Sequence, residues 1–195
     1  MTYPEMVRIR RRFSDDHIAD PAGETAAAIR SSGLLSGVRP GMRIAVTAGS
    51  RGIDRIDAIL GAVVSTLNAA GAQPFIVPAM GSHGGGTAEG QTAMLASLGV
   101  TEETIGCPVV SCTETVELGT TLSGVPVYMD RMAFEADAIV AVNRVKLHTA
   151  YHGRVESGLC KMVAVGLGKK PGAETMHRRG LGDAIVEAFR IANEK

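Results

Sequence analysis

The sequence predicts an α/β domain: a parallel β-sheet with helices on both faces and a small β-hairpin insertion. Two strand-loop-helix units follow one another between Arg43 and Leu98, the order that builds a parallel sheet through right-handed crossovers. A later apolar run, Ala138 to Val142, has the composition of another buried strand. These strands lead into segments rich in Gly, Ser or His, and in such a Rossmann-like sheet ligands gather at the carboxyl ends of strands. A length of 195 residues suits one domain of ordinary size, so residues 1–195 are read as a single unit.

Each element has its own local reason. Met6 to Arg12 alternates apolar and basic residues, which predicts a short edge strand, and its arginine run is read as a solvated edge. Asp20-Pro21 reads as an N-cap followed by Pro at the first helical position, opening a helix that ends near Gly33. Arg43 to Thr47 is a buried strand; after the loop Ala48 to Gly52, Ile56, Ile59, Leu60, Val63, Val64 and Leu67 recur at helical spacing up to Gly71. Pro74 to Ala79 is the next strand, followed by Met80 to Gly86 and a helix over Thr87 to Leu98. Short β runs at Val109-Val110, Thr115 to Leu118, Thr120 to Leu122 and Val125 to Met129 predict a hairpin insertion or lid turning at Ser123-Gly124. The last helix, Gly182 to Asn193, carries Ile185, Ala188, Phe189 and Ala192 on one face, and its abrupt end leads us to expect that something follows it in related chains.

Composition narrows the function. Lys+Arg and Asp+Glu are both 20, so no general basic field is available to hold nucleic acid, and aromatic residues at 4% supply few base-stacking platforms. The three cysteines lack CxxC spacing, which argues against structural zinc and a disulfide framework and fits a reducing cytoplasm. The N-terminus has no apolar h-region and no window reaches 18 uninterrupted apolar residues, so a soluble, cytoplasmic protein without a membrane partner is expected.

Chemistry is concentrated between Asn143 and His177, with two glycine-rich loops in support. Gly49-Ser50-Arg51-Gly52 places backbone N–H groups and a guanidinium at a strand-to-helix turn, suited to a carboxylate or phosphate, although its spacing is neither GxGxxG nor a P-loop. His83 lies among glycines after a strand, open to approach as a general base or metal ligand. His148 and His152 are four apart, but Thr149, Tyr151 and Gly153 disfavour a helix and no Glu makes an HExxH, so one histidine acting as acid or base is the better reading. Lys161 sits among Gly158, Leu159, Cys160, Met162 and Val163, where burial would favour a neutral, nucleophilic amine; a snorkelling surface lysine is the alternative. Lys169-Lys170-Pro171-Gly172 reads as an exposed loop able to bind phosphate, and Cys160 as a small core residue.

Three segments in this order, PAMGSHGGGTAEGQ, AIVAVNRVKLHTAYHG and ESGLCKM with GLGKKPGAETMH, resemble the N-terminal domain of the nickel-pincer-dependent lactate racemase family. The resemblance covers about Arg43 to His177. It implies a pyridinium-3,5-bisthiocarboxylate-type mononucleotide that holds nickel through one carbon and two sulfurs and is attached covalently to a lysine. Lys161 is similar to that lysine, with Lys169 and Lys170 as fallbacks, and His177 to the histidine ligand of nickel. His83 and His148 resemble the paired catalytic bases, Arg51 with Ser50 the substrate-carboxylate site, and Gly81, Ser82 and Gly84 the cofactor-binding loop. The implied activity is racemisation or epimerisation of a 2-hydroxy acid by hydride removal and return, which needs a base on each face.

Two departures stand out. An Asp-x-Thr-Arg pattern of the family reads Ala48-Gly49-Ser50-Arg51 here, which favours another 2-hydroxy acid or a sugar acid over lactate unless Asp54 replaces the missing acid. The family's second α/β domain is not within these residues, so expected partners are cofactor-synthesis proteins and a second copy or another chain completing the cleft. A non-catalytic anion-binding module, and a different metal or Schiff-base enzyme using Lys161, are the rival readings.

Overall fold

The computed structural model describes residues 6–50, 52–148, 152–153, 155–179 and 182–194. Strands β1 (Arg43–Ala48), β2 (Gln73–Pro78) and β5 (Ala138–Val140) form a parallel sheet in the order β2-β1-β5. Val109 adds a parallel bridge to Ile76 at the β2 edge. Alternation along β1 divides the core: Ile44, Val46 and Ala48 face one apolar cluster and Ala45 the other. The first cluster is completed by α2 (Ile56–Ala69), which buries Leu60, Val63, Val64 and Leu67, with α1 (Pro21–Ser31) packed outside it. Helix α3 (Ala88–Ser97) contributes Leu95. The α/β class and the helices on both faces are as expected.

On the other face lie the hairpin β3 (Thr115–Thr120) and β4 (Pro126–Asp130), the helical run from Leu159 onward, α7 (Lys169–Arg179) and α8 (Gly182–Asn193). The run expected at 115–118 continues to Thr120 across a bulge between Glu117 and Gly119, while Thr121 and Leu122, expected as strand, lie in the hairpin turn. The hairpin is a floor for α8 rather than a lid: Val125 and Val127 pack with Ile185 and Ala188. That contact also gives the apolar face of the last helix its partner within the domain.

Three further differences have physical causes. Met6 to Arg12 is exposed and forms no strand, since alternation supplies a pattern but not an open edge to pair with. The one-turn helices α4 (Glu102–Ile105) and α5 (Arg131–Phe134) are set by the Thr101 and Asp130 caps and are too short to show a period. Lys169 is not on an exposed loop; it is 2% exposed at the start of α7.

Candidate functional site

The carboxyl ends of all three parallel strands deliver chain to one cavity of about 300 Å³. Beyond β1 come Gly49 and Ser50, beyond β2 come Met80 to His83, and beyond β5 the extended segment Asn143 to His148. That last segment is tied to the sheet by Thr47, whose hydroxyl donates to the Val142 carbonyl (3.3 Å) and accepts from its N–H (3.0 Å). The opposite wall is Ser157 to Met162 and the first residues of the π-helical turn Met162–Leu167, with His177 on α7. Short π-helical insertions recur at functional sites because they turn side chains out of the ordinary helical register. Glycines let this turn press against the β2 loop: a Cβ on Gly166 would lie 2.6 Å from the Ala79 carbonyl oxygen, and Gly81 N–H donates to the Gly166 carbonyl at 3.1 Å.

Residues scattered over the sequence therefore meet. Ser50, Gly81, Ser82, His83, His148, Lys161 and His177 all line this cavity. Arg51 lies outside the described residues. Gly84 is not among the lining residues; its φ of +63° and its packing on the Gly90-Gln91 backbone, 2.6 Å from a Cβ there, explain why glycine occupies it. Asp54 is exposed and away from the lining, as is His152, whose ring is held on Glu156 at 3.0 Å.

Local contacts orient the titratable groups. Ser50 Oγ and His83 Nδ1 are 2.5 Å apart, which joins the β1 and β2 loops through the imidazole. Glu156 accepts the backbone N–H of His148 at 3.0 Å while pairing with His152. These two contacts hold the Glu156 carboxyl below the usual carboxylate range. The His148 imidazole is held below its ordinary value, first by burial and then by the positive charges of Lys161, Lys146 and His177. The neutral ring, a proton acceptor, is thereby favoured near neutral pH. It also follows that His148, Lys161 and His177 face a common space.

Reasoning from sequence missed five contributors. Glu156 had a signal: it is the only carboxylate between Asn143 and Ala173. Arg144 and Lys146 line the cavity on the strand-like approach to His148, and Asn143 lines it with a buried Nδ2 that has no hydrogen-bond partner among the described residues.

The fifth is a buried polar knot behind the His83 loop. Lys169 Nζ contacts Asp130 Oδ2 at 3.1 Å, the Pro78 carbonyl at 2.8 Å and Gln91 Oε1 at 2.9 Å, while Gln91 Nε2 donates to the Gly81 and His83 carbonyls at 2.8 and 3.3 Å.

Residues 20–187 match the lactate racemase N-terminal domain, which spans the sheet, the cavity and all the lining groups just described. The chain belongs to that family. No curated protein matches it. Within this lactate racemase-type domain, no cluster of three or more His, Cys, Asp or Glu side chains that could hold a metal ion exists among the described residues. A metal here would need most of its ligands from elsewhere. One imidazole on α7, an amine lining the same cavity and a buried amide without a partner among the described residues fit a metal carried on an organic cofactor, since the protein then owes only an attachment point and one further ligand. Among the described residues no helix is long and apolar enough to cross a membrane.

Proposed function

We propose that this chain is the cofactor-bearing domain of a nickel-pincer-dependent racemase or epimerase acting on 2-hydroxy acids. The observation that carries the proposal is the convergence of His83, His148, Lys161 and His177 on one cavity at the carboxyl edge of the sheet of a lactate racemase-type domain. Lys161 is the attachment point and His177 the protein's ligand to the metal. A cofactor held at these residues would supply the hydride acceptor and donor for the substrate's Cα. Arg51, with Ser50, holds the substrate carboxylate.

His83 and His148 take and return the hydroxyl proton, one on each face, so that loss of hydride and proton leaves a planar 2-keto acid and their return gives either configuration. His83 has Nδ1 engaged with Ser50 Oγ, which assigns the proton exchange to Nε2. Burial first, and then the surrounding positive charges, lower the His148 pKa and favour the neutral ring that accepts a proton. The domain supplies one side of the cleft, and another α/β domain or a second chain completes it and excludes water. Cofactor-synthesis proteins are the other partners. The three free cysteines fit a reducing cytoplasm.

Expression beside the cofactor-synthesis enzymes, followed by intact mass spectrometry and metal analysis, tests this. A stoichiometric adduct with nickel is expected, lost in Lys161→Ala and retained in Lys170→Ala, with nickel but not the adduct depleted in His177→Ala. Protein without adduct or nickel would leave an anion-binding module as the reading of the cavity.

A further inference from the structure

The cavity has a charge pattern that the roles above do not use. Its described lining contains Arg144, Lys146 and Lys161 and not one Asp or Glu. Acylation of Lys161 would remove that residue's charge, yet Arg144 and Lys146 would remain.

These two residues are placed by strand geometry. In an extended segment alternate side chains share a face. Arg144, Lys146 and His148 line the cavity, while Val145 and Leu147 between them are 88% and 78% exposed. Arg144 is further fixed by Nη1, which donates to the Gly52 carbonyl at 2.8 Å. Gly52 belongs to the same loop as Ser50, the partner of His83. The guanidinium therefore stands at the side of the cavity where one of the two bases is held, and among the described residues one of its five N–H donors is engaged, by Gly52. Two cations on one face of a lining without a carboxylate, with the neighbouring Glu156 already engaged by the His148 N–H and the His152 ring, favour an anion with planar oxygens.

Building on the function proposed above, we infer that Arg144 and Lys146 form a subsite for a second carboxylate of the substrate, so that the preferred ligand is a 2-hydroxy dicarboxylate rather than a monocarboxylate. Arg51 takes the carboxylate next to the reacting carbon, and the Arg144-Lys146 pair takes the distal one. A neutral or short side chain, as in lactate, leaves this pair uncompensated.

Equilibrium binding tests the subsite without relying on turnover. Titration calorimetry with malate, lactate and nicotinic acid mononucleotide is run on protein purified with and without the co-expressed cofactor-synthesis enzymes. Wild-type protein is expected to bind malate more tightly than lactate. Arg144→Gln/Lys146→Gln should weaken malate by roughly tenfold or more, the scale of losing hydrogen bonds to a charged group, and lactate by less than about twofold. Equal binding of the two acids by the wild type, no binding of malate, or a preference that survives the double substitution overturns the inference. Weakening of the mononucleotide with malate unchanged also overturns it, by giving the pair to a phosphate. The wild-type comparison stands even if the double variant fails to fold. Failure of the parent proposal is read separately, as absence of the Lys161 adduct by mass, while the cofactor-free arm still reports on the subsite.

Discussion

Two lysines eight positions apart have opposite fates in this domain. Lys161 lines a solvent-connected cavity together with His148 and His177, and that lining holds no carboxylate among the described residues. Lys169 is buried with each ammonium donor matched to an acceptor: Asp130, the Pro78 carbonyl and Gln91. A buried ammonium whose three donors are all satisfied is a structural fastener, whereas a lysine facing a cavity has room for a reaction partner. The difference teaches that lysine chemistry is decided by what surrounds the amine, and that the two sites work together. Through Gln91, the Lys169 knot grips the Gly81 and His83 carbonyls and so holds the loop from which His83 enters the cavity.

The sharpest way to break this comparison is to unpair the knot. Asp130→Ala leaves Lys169 buried without its counter-ion and removes the cap on Ala133 N–H, so a loss of about 3–5 kcal/mol is expected in urea denaturation. If the pair is a fastener, Asp130→Leu combined with Lys169→Met should be less destabilising than either change alone. A double variant as unstable as the sum of the singles would show that the two groups act independently. Next in size is Gln91→Leu. It strands the Lys169 donor and two loop carbonyls, at about 1–3 kcal/mol, and should raise amide exchange selectively in Gly81 to Gly86.

The same contrast shows what could be read from the chain beforehand. α2 and α8 were legible because one apolar face against one core leaves a period in the sequence, and β1 and β2 because strands buried on both faces leave short continuous apolar runs. His83 was legible because an imidazole among glycines after a strand end has few other uses, whereas His148 and His177 drew their roles from the resemblance to the family. Lys169 was not, because Lys-Lys-Pro-Gly looks like a surface turn and its partner Gln91 lies 78 positions away. Pairing across such a distance leaves no local pattern. The knot acts on the site by hydrogen-bonding backbone carbonyls, which leaves no trace in side-chain spacing either. Arg144 and Lys146 were passed over for a related reason: the strand ends at Val140, and only the continued extended backbone beyond it turns them to the cavity with His148.

Substitution of Lys161 should have a much smaller effect on stability. Lys161→Met removes a half-buried ammonium from a wall that already holds Arg144 and Lys146, so unfolding free energy should move by about 0.5 kcal/mol or less, as for changes outside a packed core. A loss comparable to that of Asp130→Ala would place Lys161 in the framework and end the contrast.

The subtlest expected effect is electrostatic and is read at His148. In the wild type its ring should titrate below the ordinary histidine value of about 6.5, because burial and the charges of Lys161, Lys146 and His177 oppose the imidazolium. Removing the Lys161 charge, by Lys161→Met or by acylation, takes away the largest of those charges, so the titration followed by NMR should move up toward the ordinary value. The consequence for folding has a definite sign. Above about pH 6.5 the ring is neutral in folded and unfolded chains alike, and no stability depends on it. As pH falls through that value the unfolded chain takes up the proton first, and the folded state loses stability until its own depressed pKa is reached. The window of loss should be narrower in Lys161→Met. An unchanged His148 titration in that variant would mean that burial alone sets it, and that Lys161 and His148 do not share the cavity electrostatically.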